Sequence, residues 1–276
     1  MPRPPVRNPA DEAAAYDAAQ RVVEVHRRLT GFLAIGHTLA AIDAFVGKAL
    51  QDLGARSCFF RYRPRGMQPF PSQACLSLND CVVHGTAAYY TEPVRAGDVL
   101  KIDIGVTYKG WIGDAAWTYV FGEKTDEVAR LCDCGRECLR RGIEQLRPDR
   151  PLLRWAEAVQ DCVEGEYGFH LIKRYGGHGY GRSLHAPPFI LNTRPSLGNP
   201  WPEADVVPEP GTLIAVEPMI ASGTGETFSE PGSWPVYSAD RSLTVHYEHD
   251  VLITDSGNRV LTEGLDDLDD LVTREL

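Results

Sequence analysis

The sequence predicts an α+β fold in which helices cover one face of a largely antiparallel, curved sheet. Three observations predict it. Segments of helical periodicity are followed by β-rich segments, and that order occurs twice along the 276 residues. Residues 99–121 hold two long runs of β-branched and aromatic residues joined by a short loop that ends at Gly110. With 43% hydrophobic and 24% charged residues, the chain has the composition of a globular protein able to bury a sizeable core. No short sequence repeat is present, although the doubled order suggests an internal structural one.

Residues 1–10 are rich in proline and predict a loose start. From Asp11 to Arg28 the apolar residues Ala15, Val22, Val23 and Val25 recur at helical spacing, with Gly31 as a stop. A second helix is expected after Thr38, a capping residue, and should end near Gly54. Ser57 to Val83 mixes short apolar runs with Pro and Gly and reads as strands and loops. In the hairpin, a four-residue loop over Thr107–Gly110 would pair Val106 with Trp111 and set Asp103 directly opposite Asp114. A third helix is expected from Asp126 to about Gln145, and a fourth from Pro151, suited to a helix start, to Tyr167. His178 to Val260 reads mainly as strands. The expected single domain covers residues 11–264. Beyond it, Asp266, Asp267, Asp269 and Asp270 make 265–276 an acidic tail, read as a solvated end.

The formal charge of −10 and the lack of any dense basic stretch argue against a nucleic-acid partner. The start of the chain has no apolar core of the kind a signal peptide needs, and nowhere do 18 apolar residues run together, which argues against a membrane. Seven cysteines form no disulfide-type framework. Cys132, Cys134 and Cys138 cluster in a helical pattern without paired spacing and read as reduced structural thiols. These features predict a cytoplasmic protein.

Candidate chemistry begins with Asp103, which lies between Ile102 and Ile104 in a strand that should be buried. A buried carboxylate needs a proton, a salt bridge or a metal. Two Asp residues facing one another leave the last two possibilities evenly open. Further on, Tyr175–Gly181 surrounds His178 with glycines, which let backbone come close to whatever the imidazole binds. Glu217 ends the apolar run Ile214–Val216, and Glu248 precedes the core-like segment Asp250–Thr254. Each has a bland alternative as a turn or surface residue. Together they are four acids and one imidazole, a hard-donor set that suits Mn²⁺, Fe²⁺, Co²⁺ or Zn²⁺. Four carboxylates exceed what one divalent ion neutralises, so a pair of ions, roughly 3.5–4 Å apart, is the expected cofactor.

The segments Phe70–Asn79, Val83-His84-Gly85, the Asp103/Asp114 hairpin, Gly177-His178-Gly179, Val216-Glu217-Pro218 and Tyr247-Glu248-His249 occur in that order. In them the chain resembles the type I methionine aminopeptidases of the pita-bread (creatinase/aminopeptidase) fold, from about Ala13 to Gly264. The resemblance implies that Asp114 and Glu248 bridge two metals, that Asp103 binds one ion, and that His178 and Glu217 bind the other. It also implies that Glu217 takes a proton from the nucleophilic water. His84 would lie near the substrate's amino group and scissile bond, and His185 would bond the substrate amide and stabilise the tetrahedral intermediate. The implied substrate is the N-terminus of a peptide or nascent protein, and relatives are often monomers.

Cys75, Phe70, His84 and Trp234 stand where a pocket for the first side chain is expected. Here the chain departs from the family. Leu184 occupies a place usually held by Phe, Met67 one usually held by Tyr, and His246 replaces a Gln, adding a titratable group beside a metal-bridging carboxylate. An aliphatic-for-aromatic change alters pocket shape by only about 1–3 kcal/mol of discrimination. Two alternatives therefore stay open: a same-fold peptidase with another N-terminal preference, including Xaa-Pro, and a non-catalytic binding protein. The long interval from Glu217 to Glu248, and His249 where proline-directed relatives usually carry Asp, favour the methionine-directed reading. The net acidity gives no support to docking on a ribosome through basic loops.

Overall fold

Helix α1 spans Pro9–Phe32, longer at both ends than its periodic stripe suggests. Asn8 caps it by accepting from the N–H groups of Ala10 and Asp11, and Pro9 occupies the first turn, where its missing N–H costs nothing. Thr38 caps α2 (Leu39–Asp52) as expected, through the N–H of Ala41. The computed structural model describes residues 3–64 and 66–276. Met1 and Pro2 of the expected loose start lie outside the described residues. The rest of that start is held, since the Val6 N–H donates to the Gly211 carbonyl at 3.1 Å.

Strands β1 (Arg56–Ser57), β2 (Cys75–Leu78), β3 (Cys81–Val83), β4 (Val99–Tyr108) and β5 (Trp111–Phe121) complete the first half. Helix α3 (Asp126–Ile143), capped by Thr125, and α4 (Leu153–Gln160) then open the second. A π-helical segment, Asp161–Tyr167, extends α4 until Gly168, whose φ of 73° ends it. The strands that follow are β6 (His170–Leu171), β7 (Gly176–Tyr180), β8 (Ala186–Leu191), β9 (Leu213–Val216) and β10 (Met219–Ala221). After them come β11 (Thr227–Phe228), β12 (Val236–Ser238), β13 (Thr244–His246), β14 (His249–Ile253), β15 (Asn258–Val260) and β16 (Leu271–Val272). The helices-then-strands order is therefore present twice, as the sequence predicts.

Two larger sheets organise the molecule. One runs β1-β4-β5-β16 with β2 also on β4, and the other runs β15-β14-β9-β7-β8. Every ladder among the described strands is antiparallel except that of β16 with β5. Strand alternation divides β4 cleanly. Leu100, Ile102, Ile104 and Val106 join Val22 and Leu29 of α1 and Ile42 and Val46 of α2 in one core cluster. Lys101, Asp103 and Gly105 point to the other face, where Asp103 lines a cavity shared with the second half of the chain. Helix α3 turns its buried Leu131, Cys132, Cys134, Cys138 and Leu139 inward, and all seven cysteines are free thiols.

The hairpin register corrects the sequence expectation. The loop has two residues, Lys109 and Gly110, both at positive φ, and Tyr108 pairs with Trp111. Asp114 consequently lies opposite Gly105, and Asp103 opposite Ala116. A two-residue turn with positive φ at both positions matches the twist of the strands better than a four-residue loop. The shift is an even number of residues, so Asp103 and Asp114 still share a face as diagonal neighbours.

The acidic end is exposed at Asp266, Asp267 and Asp269, as its composition suggests, but not at its last aspartate. Asp270 is buried and pairs with Lys124 at 2.6 Å and Arg136 at 2.5 Å. Asp266 pairs with His249 at 3.1 Å, while β16 lies along the edge of β5. No helix among the described residues is long and apolar enough to cross a membrane.

Candidate metal centre and active-site cavity

The two halves meet along a seam where backbone and side chains of β5 bond the segment around Glu248. Thr118 Oγ1 donates to the His246 carbonyl at 2.7 Å and accepts from the His246 N–H at 3.0 Å. The Glu248 N–H donates to the Ala116 carbonyl at 2.9 Å, and the Asp114 N–H to Asp250 Oδ2 at 2.8 Å. These bonds fix Glu248 and Asp114 relative to one another. Asp103 and Asp114 come from β4 and β5, His178 from the middle of β7, Glu217 from the end of β9, and Glu248 from the step between β13 and β14.

Strand β7 can bring His178 to the seam because its neighbours are glycines. A Cβ on Gly177 would come within 2.1 Å of the Ala215 carbonyl oxygen, so any side chain there would push β7 off β9. His178 Nε2 lies 3.8 Å from Asp114 Oδ2 and 3.9 Å from Glu217 Oε1. Asp114, His178 and Glu248 offer ligand atoms all within 4.8 Å of one another, and so do Glu217, His246 and Glu248. Asp103, Asp114, His178, Glu217 and Glu248 all line one cavity, which the structure thus builds from both halves.

The electrostatics of this cluster are those of a cation site. Burial, joined by the charge of Glu217, pushes Asp103 well above the usual carboxylate range. Burial and Asp103 do the same to Asp114, burial and Asp114 to Glu217, and burial and the surrounding acids to Glu248. Asp103 Oδ1 and Asp114 Oδ1 are buried without a hydrogen-bond partner. Burial also drives His178 down to about 3, so its imidazole is neutral, the form that ligates a metal. The nearby buried amine of Lys101, whose pKa burial lowers to about 7, is directed elsewhere, with Nζ donating to the Asn79 carbonyl at 2.6 Å. Partnerless carboxylate oxygens beside a neutral imidazole fit hard divalent ions.

Of the expected pocket residues, Phe70, Cys75, His84, Leu184, His185 and Trp234 line the same cavity. Trp234 meets Phe70 edge-on at 5.1 Å and His84 at 6.0 Å between ring centroids. Met67 does not line it. The chain forms a small hairpin in which the Arg61 N–H donates to the Phe70 carbonyl and the Phe70 N–H to the Tyr62 carbonyl, both at 2.8 Å. Among the described residues of this segment, Phe59, Tyr62 and Phe70 line the cavity, while Met67 belongs to a turn, its N–H on the Pro64 carbonyl at 3.1 Å. Tyr62, Phe59 and Val83 are the lining residues that residue type and spacing did not single out.

His246 stands against the cluster, with Nε2 3.3 Å from Glu217 Oε2. Burial lowers its pKa to about 3, which favours the neutral imidazole.

A sequence profile described as Metallopeptidase family M24 matches residues 13–255. The chain belongs to metallopeptidase family M24. Among M24 relatives, a methionine aminopeptidase of Aquifex aeolicus is 35% identical over 247 residues, covering 89% of this chain and 93% of its own. Methionine aminopeptidase 1 of Mycobacterium tuberculosis is 34% identical over 261 residues, covering 92% and 94%. The crystal structure of a methionine aminopeptidase from Thermotoga maritima superposes with a TM-score of 0.83 at 29% identity, covering 94% of this chain and 99% of that one. The M24 fold is the pita-bread fold the sequence resemblance implied. As an M24 member with this donor set, the chain is a metal-dependent hydrolase.

Proposed function

We propose that the protein is an aminopeptidase with a dinuclear metal site that removes the N-terminal residue, preferably methionine, from peptides or nascent proteins. The observation that carries this is the convergence of Asp103, Asp114, His178, Glu217 and Glu248 on one cavity, with buried carboxylate oxygens left partnerless. Asp114 and Glu248 would hold both ions, Asp103 would hold one, and His178 with Glu217 would hold the other. A bound pair of Mn²⁺, Fe²⁺, Co²⁺ or Zn²⁺ would activate water and polarise the scissile carbonyl. The remaining chemistry falls to the chain. A Glu217 carboxylate oxygen accepts the proton of the attacking water, and His84 lies along the substrate's amino end and scissile bond. His185 donates to the substrate amide and to the oxyanion that develops as the carbon becomes tetrahedral. The C–N bond then breaks, and the departing amine takes up the proton that Glu217 accepted from the water.

The first side chain of the substrate would occupy the wall formed by Phe70, Cys75, Leu184 and Trp234. An apolar wall with one thiol suits a flexible thioether better than a charged side chain. The relatives reported above are named methionine aminopeptidases, which favours methionine over Xaa-Pro starts. Free thiols throughout support a reducing, cytoplasmic setting. The test is release of the first residue from Met-Ala, Met-Gly, Leu-Ala and Xaa-Pro peptides with Mn²⁺ or Co²⁺. Met peptides should be cleaved, with Asp114→Asn lowering the rate by more than about 100-fold. Cleavage confined to Xaa-Pro peptides, or undiminished in Asp114→Asn, overturns the proposal.

A further inference from the structure

His185 sits exposed at the rim of the cavity, where water alone would let its imidazole exchange between tautomers and orientations. One side chain prevents this. Tyr62 Oη lies 2.8 Å from His185 Nδ1, across 123 residues of chain. The two rings are tilted at 56° with centroids 5.3 Å apart, and His185 meets His178 edge-on at 4.4 Å on another side. Among the described residues, no carboxylate or backbone carbonyl is hydrogen-bonded to either nitrogen of His185. Carboxylates and carbonyls are the usual orienting partners of functional histidines, and here a phenol takes that place.

The polarity of this bond follows from acidity. A neutral imidazole has one donor and one acceptor nitrogen, and a phenol O–H is more acidic than an imidazole N–H. The Tyr62 proton therefore points at Nδ1, which must be bare to accept it, and the ring proton resides on Nε2. Burial raises the Tyr62 pKa, so the phenol keeps its proton. Its backbone is fixed as well, with the Tyr62 N–H donating to the Phe59 carbonyl and the Tyr62 carbonyl accepting from Phe70, both at 2.8 Å.

We infer that Tyr62 is a positioning residue that holds His185 as the Nε2–H tautomer and aims that N–H into the cavity. The inference rests on the donor role of His185 proposed above. A histidine that donates to an amide or oxyanion through Nε2 needs this tautomer, and Tyr62 sets it before substrate arrives. Because the interaction with the developing oxyanion strengthens only in the transition state, loss of the phenol should fall on kcat rather than KM.

The experiment compares Tyr62→Phe, His185→Ala and the double variant with the parent enzyme on a Met-Ala peptide. Alongside it, ¹⁵N chemical shifts of His185 are recorded in the metal-free parent and in Tyr62→Phe. The expected result is a kcat lowered about 10–100-fold in Tyr62→Phe with KM changed little. The double variant should be no slower than His185→Ala. In the parent the shifts should show a protonated Nε2 and a bare Nδ1, and in Tyr62→Phe an averaged pair. Parent-like kcat in Tyr62→Phe with His185→Ala impaired overturns the inference alone. Parent-like kcat in His185→Ala overturns the donor role beneath it. A protonated Nδ1 in the parent overturns the inference even if Tyr62→Phe fails to fold.

Discussion

Leu184 packs in the same cluster as Phe70, Cys75 and Phe59, and its side chain is 7% exposed, so the cavity feels its shape directly. Replacing it with Phe adds volume to a wall that has little slack. Methionine is unbranched and can re-rotamer around the added ring, whereas the branched terminus of leucine cannot. Leu184→Phe should therefore lower kcat/KM for a Leu-Ala peptide about 10-fold more than for Met-Ala, within the 1–3 kcal/mol that one methylene's worth of fit commands. Competition between the two peptides measures this, and an unchanged ratio would show that Leu184 does not bound the first side chain. At this scale the acids and the histidine that converge on the cavity were legible, because a carboxylate flanked by isoleucines or a histidine among glycines has few inexpensive explanations. Tyr62 was not legible. A tyrosine near Pro and Gly looks like any loop residue until the fold brings His185 to it, and Met67 was misplaced because residue type cannot tell which residues of a small hairpin line the cavity.

Helix α3 depends on a residue that propensity alone would discourage. Gly135 sits mid-helix, and a Cβ there would come within 2.4 Å of the Tyr247 ring, which itself lies 4.8 Å from Trp117 in an edge-on contact. Alanine would gain up to about 1 kcal/mol of helix propensity. Driving a methyl into a packed aromatic ring costs about 1–3 kcal/mol. The steric term wins, and Gly135→Ala should lower the melting midpoint. Because Tyr247 precedes Glu248, the variant should also bind divalent metal more weakly, which calorimetric titration of Mn²⁺ would detect. A midpoint at or above that of the parent would show that the ring gives way freely. Caps such as Thr38 and Thr125 were readable because a side-chain oxygen before an apolar run has a local meaning. The hairpin loop was not, since Lys-Gly is a weaker signal for a two-residue turn than Asn-Gly, and Thr107 and Tyr108 suit strand and loop alike. The error was even in register, so the faces survived it.

The cavity lies between the halves of the molecule, and its acids come from both. Asp103 and Asp114 belong to the first, and His178, Glu217 and Glu248 to the second. Bringing these carboxylates together is an unfavourable part of folding, since burial and mutual repulsion raise them all. Cations that bind the assembled site and not the unfolded chain would then favour the joined halves. A single Mn²⁺ bound at 100 times its dissociation constant adds about 2.7 kcal/mol, and a second ion would add to it. At about 2–4 °C per kcal/mol for a chain of this size, the midpoint should rise by roughly 5–10 °C and fall again with a chelator. Mg²⁺, which dehydrates reluctantly and prefers an oxygen-only octahedral shell, should do less at equal concentration. In Asp114→Asn the rise should be largely abolished, because the residue assigned to both ions is gone while the remaining acids are less crowded. A parent protein whose midpoint ignores Mn²⁺, Co²⁺ and Zn²⁺ alike would mean that these carboxylates are buried as protonated acids, and the seam would owe its stability to the bonds of Thr118, Ala116 and Asp250 alone.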